Sequence, residues 1–132
     1  MLVVVDANVV VQLVISGGDA GPLAEHELIA PPLLRAEALS SISEMAFRGQ
    51  IPRDAARVAA LRLSGIQVRL DRPDGLDERI WDLTQSLGWA KTYDAEYVAL
   101  ALTHDVPLLT LDARLRRGAG HLVSMPRIVD FR

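Results

Sequence analysis

The chain has 132 residues, half of them hydrophobic, with 14 basic and 17 acidic side chains for a net charge of −3. That length suits one domain spanning residues 1–132 with a real core, and the mildly acidic balance excludes a protein that grips nucleic acid through a generally basic surface. With no cysteine in the chain, disulfides and thiolate metal sites are excluded as well.

In chain order, Leu2 to Val5 reads as a short buried strand, because an unbroken β-branched run fits a parallel strand covered on both faces. Asn8 to Ile15 begins a helix despite its valines. Ser16-Gly17-Gly18-Asp19 and Gly21-Pro22 mark a loop, and Leu28 to Ala30 a second short strand. Pro32 suits the first turn of a helix that runs to about Arg48 and stops at Gly49. Pro52 to Leu63 is the next helix, with Gly65 as its stop signal. Ile66 to Leu70 alternates as a strand would, Asp71 to Gly75 turns, and Leu76 to Leu87 is an amphipathic helix. Asp94 to His104 is helical, Val106 to Leu111 a strand and Ala113 to Arg117 a short helix. Gly118 to Gly120 breaks the chain, and Val123 and Ile128-Val129 are candidate edge strands around Pro126. The N-terminus lacks a basic region and Asp6 interrupts its apolar run, so no signal peptide is expected. No uncharged stretch approaches the roughly 20 residues of a membrane span, and a cytoplasmic protein without membrane contact is the expectation.

Alternating strands and helices imply an α/β fold with a mainly parallel sheet, whose ligands bind beyond the carboxyl ends of the strands. Four acids stand where charge is out of place. Asp6 follows the valine strand, Glu37 lies within an apolar helix segment, Asp94 opens Ala95 to Leu102, and Asp112 follows Pro107 to Leu111. Burying one carboxylate is costly unless it is paired or holds a metal. Each Asp taken alone reads equally as a helix N-cap, and Glu37, with Ser41 and Glu44 one and two turns on, as a solvent-facing residue. The set of four suggests a divalent cation on oxygen ligands, and hence phosphate chemistry. Asp19, Asp74, Asp77, Glu78 and Asp82 read as solvated, and Glu96 as a first-turn acid. His26, His104 and His121 match no zinc spacing, and there is no Walker loop. Trp81 and Trp89 read as core or interface residues. Arg114, Arg116 and Arg117 lie on a helix where they either reach a phosphate backbone or face solvent.

In these residues the chain resembles the PIN-domain family, and within it the VapC-type toxins of bacterial type II toxin–antitoxin pairs. The likeness rests on Val4-Val5-Asp6-Ala7-Asn8, Pro31-Pro32-Leu33-Leu34-Arg35-Ala36-Glu37, Thr92-Tyr93-Asp94-Ala95-Glu96-Tyr97 with Val98 to Ala101, and Leu109-Thr110-Leu111-Asp112. It covers nearly the whole chain. No single motif is specific, but the ordered set is fairly so. The resemblance implies a three-layer α/β/α sandwich around a short, mainly parallel sheet, and a metal-dependent ribonuclease leaving 3′-hydroxyl and 5′-phosphate ends. It also implies a homodimer, an RNA substrate and inhibition by a cognate antitoxin protein. The family's acidic positions fall on Asp6, Glu37, Asp94 and Asp112, its small polar position on Asn8 and its hydroxyl on Thr110. Oxygen ligands select Mg²⁺ or Mn²⁺. Asp6, Asp94 and Asp112 are then the expected direct ligands, with Glu37 acting directly or through water, Asn8 and Thr110 holding the ligands in place, and Arg114 touching nucleic acid.

Three other readings compete. A receiver-like phosphate-accepting domain needs a Lys near a late strand, whereas the only Lys, Lys91, follows no clear strand. A haloacid-dehalogenase-type phosphatase needs Asp-x-Asp where this chain has Asp6-Ala7-Asn8. A binding module that kept the fold and lost the metal is the third.

Overall fold

The computed structural model describes residues 1–17 and 21–131; the loop residues Gly18 and Asp19 lie outside that range. Four strands, β1 (Leu2–Val5), β2 (Glu27–Ala30), β3 (Val68–Leu70) and β4 (Leu108–Leu109), form one sheet in the order β3-β2-β1-β4. Every pairing is parallel, with Val4 opposite both Ile29 and Leu108. The helices are α1 (Ala7–Ile15), α2 (Leu33–Phe47), α3 (Arg53–Leu63), α4 (Leu76–Leu87), α5 (Tyr93–His104) and α6 (Ala113–Ala119). Parallel crossovers are right-handed, so stepping from β1 to β2 to β3 places α1, α2 and α3 on one face. The return to the far side of β1 for β4 carries α4 and α5 to the other face. The result is the expected three-layer sandwich, in which α1, α2 and α3 pack on one another and α5 packs on β1 and β4.

Burial explains the local choices. Val3, Val4 and Val5 are fully buried, as a strand covered on both faces requires. The valines of α1 lower its intrinsic helix preference, but Val9, Val10 and Val14 fill the core and packing overrides propensity. Arg62, in the last turn of α3, donates to the Val14 carbonyl at 2.8 Å and ties α3 to the end of α1. Leu76, Ile80, Ala95 and Ala99 make a smaller cluster between α4 and α5.

Four expectations need correction. The last strand is two residues long rather than Val106 to Leu111: Pro107 has no N–H to give the ladder, and Thr110 turns its hydroxyl to the site described below. Gly118 does not break the chain, because α6 runs through it to Ala119. A Cβ at residue 118 would stand 3.0 Å from Cζ2 of Trp89, so glycine there serves a close approach. Val123 and Ile128-Val129 are not strands. Leu108 N–H does reach the Ser124 carbonyl at 2.9 Å, but Pro126 has no N–H. Arg116 takes the carbonyls of Met125 and Pro126, leaving no ladder to build, and Ile128–Phe131 is a 3-10 turn instead. Ile66 to Leu70 narrows at its start, to Val68–Leu70.

Candidate active site

The chain reverses direction across the sheet between β1 and β4, and at such a switch point a crevice opens at the carboxyl ends of the strands. Asp6 leaves β1 at that edge and Asp112 leaves the neighbouring β4. Across the crevice stand α2, bearing Glu37, and the first turn of α5, bearing Asp94. A cleft of about 230 Å³ collects all four acids together with Asn8.

The strand-end acids are tightly held. Asp6 is 5% exposed. Its Oδ1 accepts the Val9 N–H at 3.1 Å, capping α1, and its Oδ2 accepts the hydroxyl of Thr110. The Thr110 oxygen in turn accepts the Asp112 N–H at 3.0 Å, and Asp112 caps α6 through the N–H groups of Arg114 and Leu115, at 2.8 and 3.4 Å. One relay, Asp112 N–H to Thr110 to Asp6, therefore couples the two acids. Asn8 lines the cleft, and its backbone N–H faces the Asp6 carboxylate. Helix capping is thus a real role of Asp6 and Asp112, but it occupies only part of each carboxylate. Asp94 is no cap: it lies inside α5, which Thr92 precedes without a side-chain cap bond.

The helix-borne acids are held differently. Glu37 is half-buried and its Oε1 accepts the Tyr97 hydroxyl at 2.5 Å. Asp94 stands at the exposed rim. Ser40, Ser41 and Glu44 complete the wall on the Glu37 side. The polar stripe that left Glu37 readable as a surface residue is therefore the lining of the cleft. Its helical spacing was visible in the sequence, and so was Tyr97, four residues before Ala101 in the α5 motif. Glu96 is drawn away by Arg72 at 3.4 Å, which also pairs with Asp77.

Burial and mutual repulsion show in the carboxyl groups. Burial raises the pKa of Asp6 above the usual range, Asp112 raises it further, and the bonds from Thr110 and Val9 oppose the shift. Glu37 is raised by burial and by the charges of Asp94 and Asp6, against the hydrogen bond from Tyr97. Asp94 is raised by partial burial and by Asp112, and lowered by Arg114. Burial and the Glu37 carboxylate push the Tyr97 phenol up as well, so it remains a donor.

Such unbalanced negative charge around a polar cleft fits a hard divalent cation, whose oxygen preference matches every side chain there. Among the described residues, no group of three or more Asp, Glu or His side chains is disposed to hold a metal ion as it stands, so ligation asks for rearrangement of these carboxylates. Of the three arginines after Asp112, Arg116 is committed elsewhere: it donates to the Thr110 and Met125 carbonyls, both at 2.8 Å. Arg114 is exposed beside Asp112 at 3.8 Å. Trp81 lies on the surface and Trp89 is half-buried against the core. No helix among the described residues is long and apolar enough to cross a membrane.

The family model of the PIN domain matches residues 3–120. Ribonuclease VapC1 of Mycobacterium tuberculosis is 37% identical over 123 residues, covering 89% of this chain and 90% of that protein. VapC ribonuclease Mb0985 of Mycobacterium bovis is 33% identical over 115 residues, covering 86% and 88%. Among solved structures, PAE2754 from Pyrobaculum aerophilum superposes with a TM-score of 0.71 at 22% identity, covering 98% of this chain and 91% of that one. VapBC2 from Rickettsia felis, solved bound to a DNA fragment from its promoter, gives 0.67 at 12% identity, covering 96% and 98%. At those identities the two structures speak for the fold.

Proposed function

The chain belongs to the PIN-domain family, and from that premise we propose that it is the ribonuclease toxin of a toxin–antitoxin pair, cutting RNA phosphodiester bonds with Mg²⁺ or Mn²⁺ at Asp6, Glu37, Asp94 and Asp112. The observation that carries the reading is the convergence of these four acids, from positions spread along the chain, on one polar cleft at the switch point of the sheet. The names of the VapC relatives support the ribonuclease part.

A bound divalent cation would supply Lewis acidity toward water and neutralise charge gathering on the scissile phosphate. Asp6 is the anchor, since Val9 and Thr110 leave its carboxylate little freedom. Asp112 from the neighbouring strand and Asp94 from the rim would hold the cation with it. Glu37, steadied by the Tyr97 hydroxyl, orients the attacking water by accepting its hydrogen bond. Thr110 keeps Asp6 and Asp112 in fixed relation, as groups behind metal ligands do, and Asn8 does so from the mouth of the cleft. Arg114 meets the phosphate backbone.

A small antitoxin is the proposed protein partner. Support comes from the VapC relatives and from structural neighbours solved as VapBC complexes. Homodimerisation through α2 and α3 is supported by exposed Leu39, Phe47, Val58 and Leu61; a monomeric elution profile at micromolar concentration would count against it.

The test is cleavage of pooled transfer and ribosomal RNA by purified protein in Mn²⁺, Mg²⁺ or EDTA. Discrete metal-dependent products are expected, with loss of at least about 1,000-fold in Asp6→Asn at unchanged fold. Activity retained in the variant would overturn the site, and no cleavage together with no Mn²⁺ binding would leave a binding module.

A further inference from the structure

A second cavity, of about 600 Å³, opens beside the acidic cleft and shares Glu37 and Asp94 with it. That size lies within the roughly 300–1,000 Å³ range of small-molecule sites. Its walls differ in kind from the cleft: Lys91 and Arg114 bring positive charge, Tyr93 and Trp89 bring aromatic rings. In an acidic protein this pairing is conspicuous, because Lys91 is the only lysine of the chain.

The side chains divide into a fixed wall and an available one. Trp89 is fixed. It follows Gly88, whose φ of +70° ends α4 in a conformation open to glycine, its N–H bonds the Thr84 carbonyl at 3.1 Å, and its ring lies against Gly118. Tyr93 is available. It is 51% exposed at the first position of α5, and its hydroxyl has no hydrogen-bond partner among the described residues. Lys91 is exposed too, and the Arg114 side chain is 84% exposed. Arg114 pairs loosely with Asp112 at 3.8 Å, whereas no hydrogen bond or ion pair within the described residues occupies the Tyr93 or Lys91 side chain.

We propose that this cavity seats one unpaired nucleotide of the substrate next to the scissile phosphate, its base stacked on Tyr93 and its phosphate met by Lys91 and Arg114. Aromatic rings beside cations suit single-stranded nucleic acid, since every base offers a π-face and unstacked bases splay outward. A stacked duplex offers no base to such a lip. The shared Glu37 and Asp94 make the two cavities neighbours, so a strand seated on Tyr93 would bring its next phosphodiester to the acids. The proposal rests on the ribonuclease reading above.

The experiment titrates a fluorescein-labelled single-stranded RNA of mixed sequence into the Asp6→Asn protein, followed by anisotropy, with Tyr93→Ala, Tyr93→Phe and Lys91→Ala added in turn. Tyr93→Ala should weaken binding roughly 10-fold, the loss of one stacked base, while Tyr93→Phe keeps the ring and binds within about twofold of its parent. Lys91→Ala should weaken binding less, and the difference should shrink at high salt. In a Trp81→Phe background, bound RNA should quench the fluorescence of Trp89. With the acids intact, Tyr93→Ala should raise KM for cleavage by a similar factor, the loss falling on KM rather than kcat. Equal binding by Tyr93→Ala and its parent overturns the subsite, as does Tyr93→Phe binding as weakly as Tyr93→Ala. Cleavage with an unchanged KM in Tyr93→Ala removes the subsite and leaves the ribonuclease standing. A 10-fold binding loss in a protein that cuts no RNA retains the subsite and removes the ribonuclease.

Discussion

The two walls of the acidic cleft are built on different principles. On the strand side, Asp6, Thr110 and Asp112 leave adjacent parallel strands and are locked to one another and to the helices they cap. On the helix side, Glu37 has one tether, the Tyr97 hydroxyl, and Asp94 is held by no side-chain bond among those described. The strand wall is preorganised, and its geometry is fixed by backbone pairing before any ligand arrives. The helix wall is the less constrained of the two, with a single side-chain hydrogen bond among those described. On the proposed function this contrast becomes a division of labour: one wall would set where a cation sits, and the other would adapt to the substrate.

Mutations can break that contrast. Among substitutions that leave all four acids in place, the largest effect is expected for Thr110→Val, which removes the donor to Asp6 and the acceptor for the Asp112 N–H. Cleavage should fall about 10- to 100-fold, the usual cost of losing a group behind a metal ligand, and retained activity would mean that the strand wall needs no relay. Arg116→Ala cuts the clamp that joins the Thr110 carbonyl to the C-terminal segment. Hydrogen bonds from charged groups contribute about 1.5–3 kcal/mol each, and two at 2.8 Å are lost, so thermal unfolding should move down by at least about 10 °C; an unchanged melting temperature would show the clamp to be idle. On the helix wall, Tyr97→Phe frees Glu37 at a stability cost of about 1 kcal/mol, and kcat should fall by roughly 10-fold or less. A larger loss than in Thr110→Val would invert the roles given to the two walls.

The smallest effect concerns pH. Burial raises the pKa values of Asp6, Glu37 and Asp94 in the folded protein above those of free carboxyl groups, which opens a pH window between the unfolded and the folded values. In that window the folded state holds protons that the unfolded chain has released. The resulting stabilisation is complete below the unfolded values and is lost as pH climbs through the raised ones. In EDTA the melting temperature should therefore fall as pH climbs above the ordinary carboxylate range, and that of Asp6→Asn should fall less. Calorimetry of both proteins across that range checks it; parallel curves would place the cost of burial on another group.

The same two walls show what the sequence made legible. The strand wall was readable because an acid directly after a β-branched run has little choice of position: β1 delivers Asp6 to the sheet edge whatever packs around it. The helix wall was harder. Glu37 has apolar neighbours in sequence and polar ones at helical spacing, and only the packing of α2 against α1 decides which face meets the cleft. Tyr97 stood in the α5 motif without a role until its hydroxyl was seen to reach Glu37, 60 residues away in sequence. The C-terminal segment misled because β-branched residues suggest strands, whereas the Arg116 side chain claims the carbonyls that a ladder would need. Gly118 misled for the opposite reason. Its meaning lies in an indole ring from a distant loop, which no local pattern contains.

The relay between Asp6 and Thr110 spans 104 positions, and that separation has a consequence during synthesis. A chain emerging from the ribosome exposes Asp6 first and must wait for β4, almost the end of the sequence, before Thr110 and Asp112 can dock beside it. Until then the acids have no common cleft. On the proposed reading, the site would thus be incomplete while the chain is still attached to the message that encodes it, and a chain cut short anywhere before β4 would never assemble it at all.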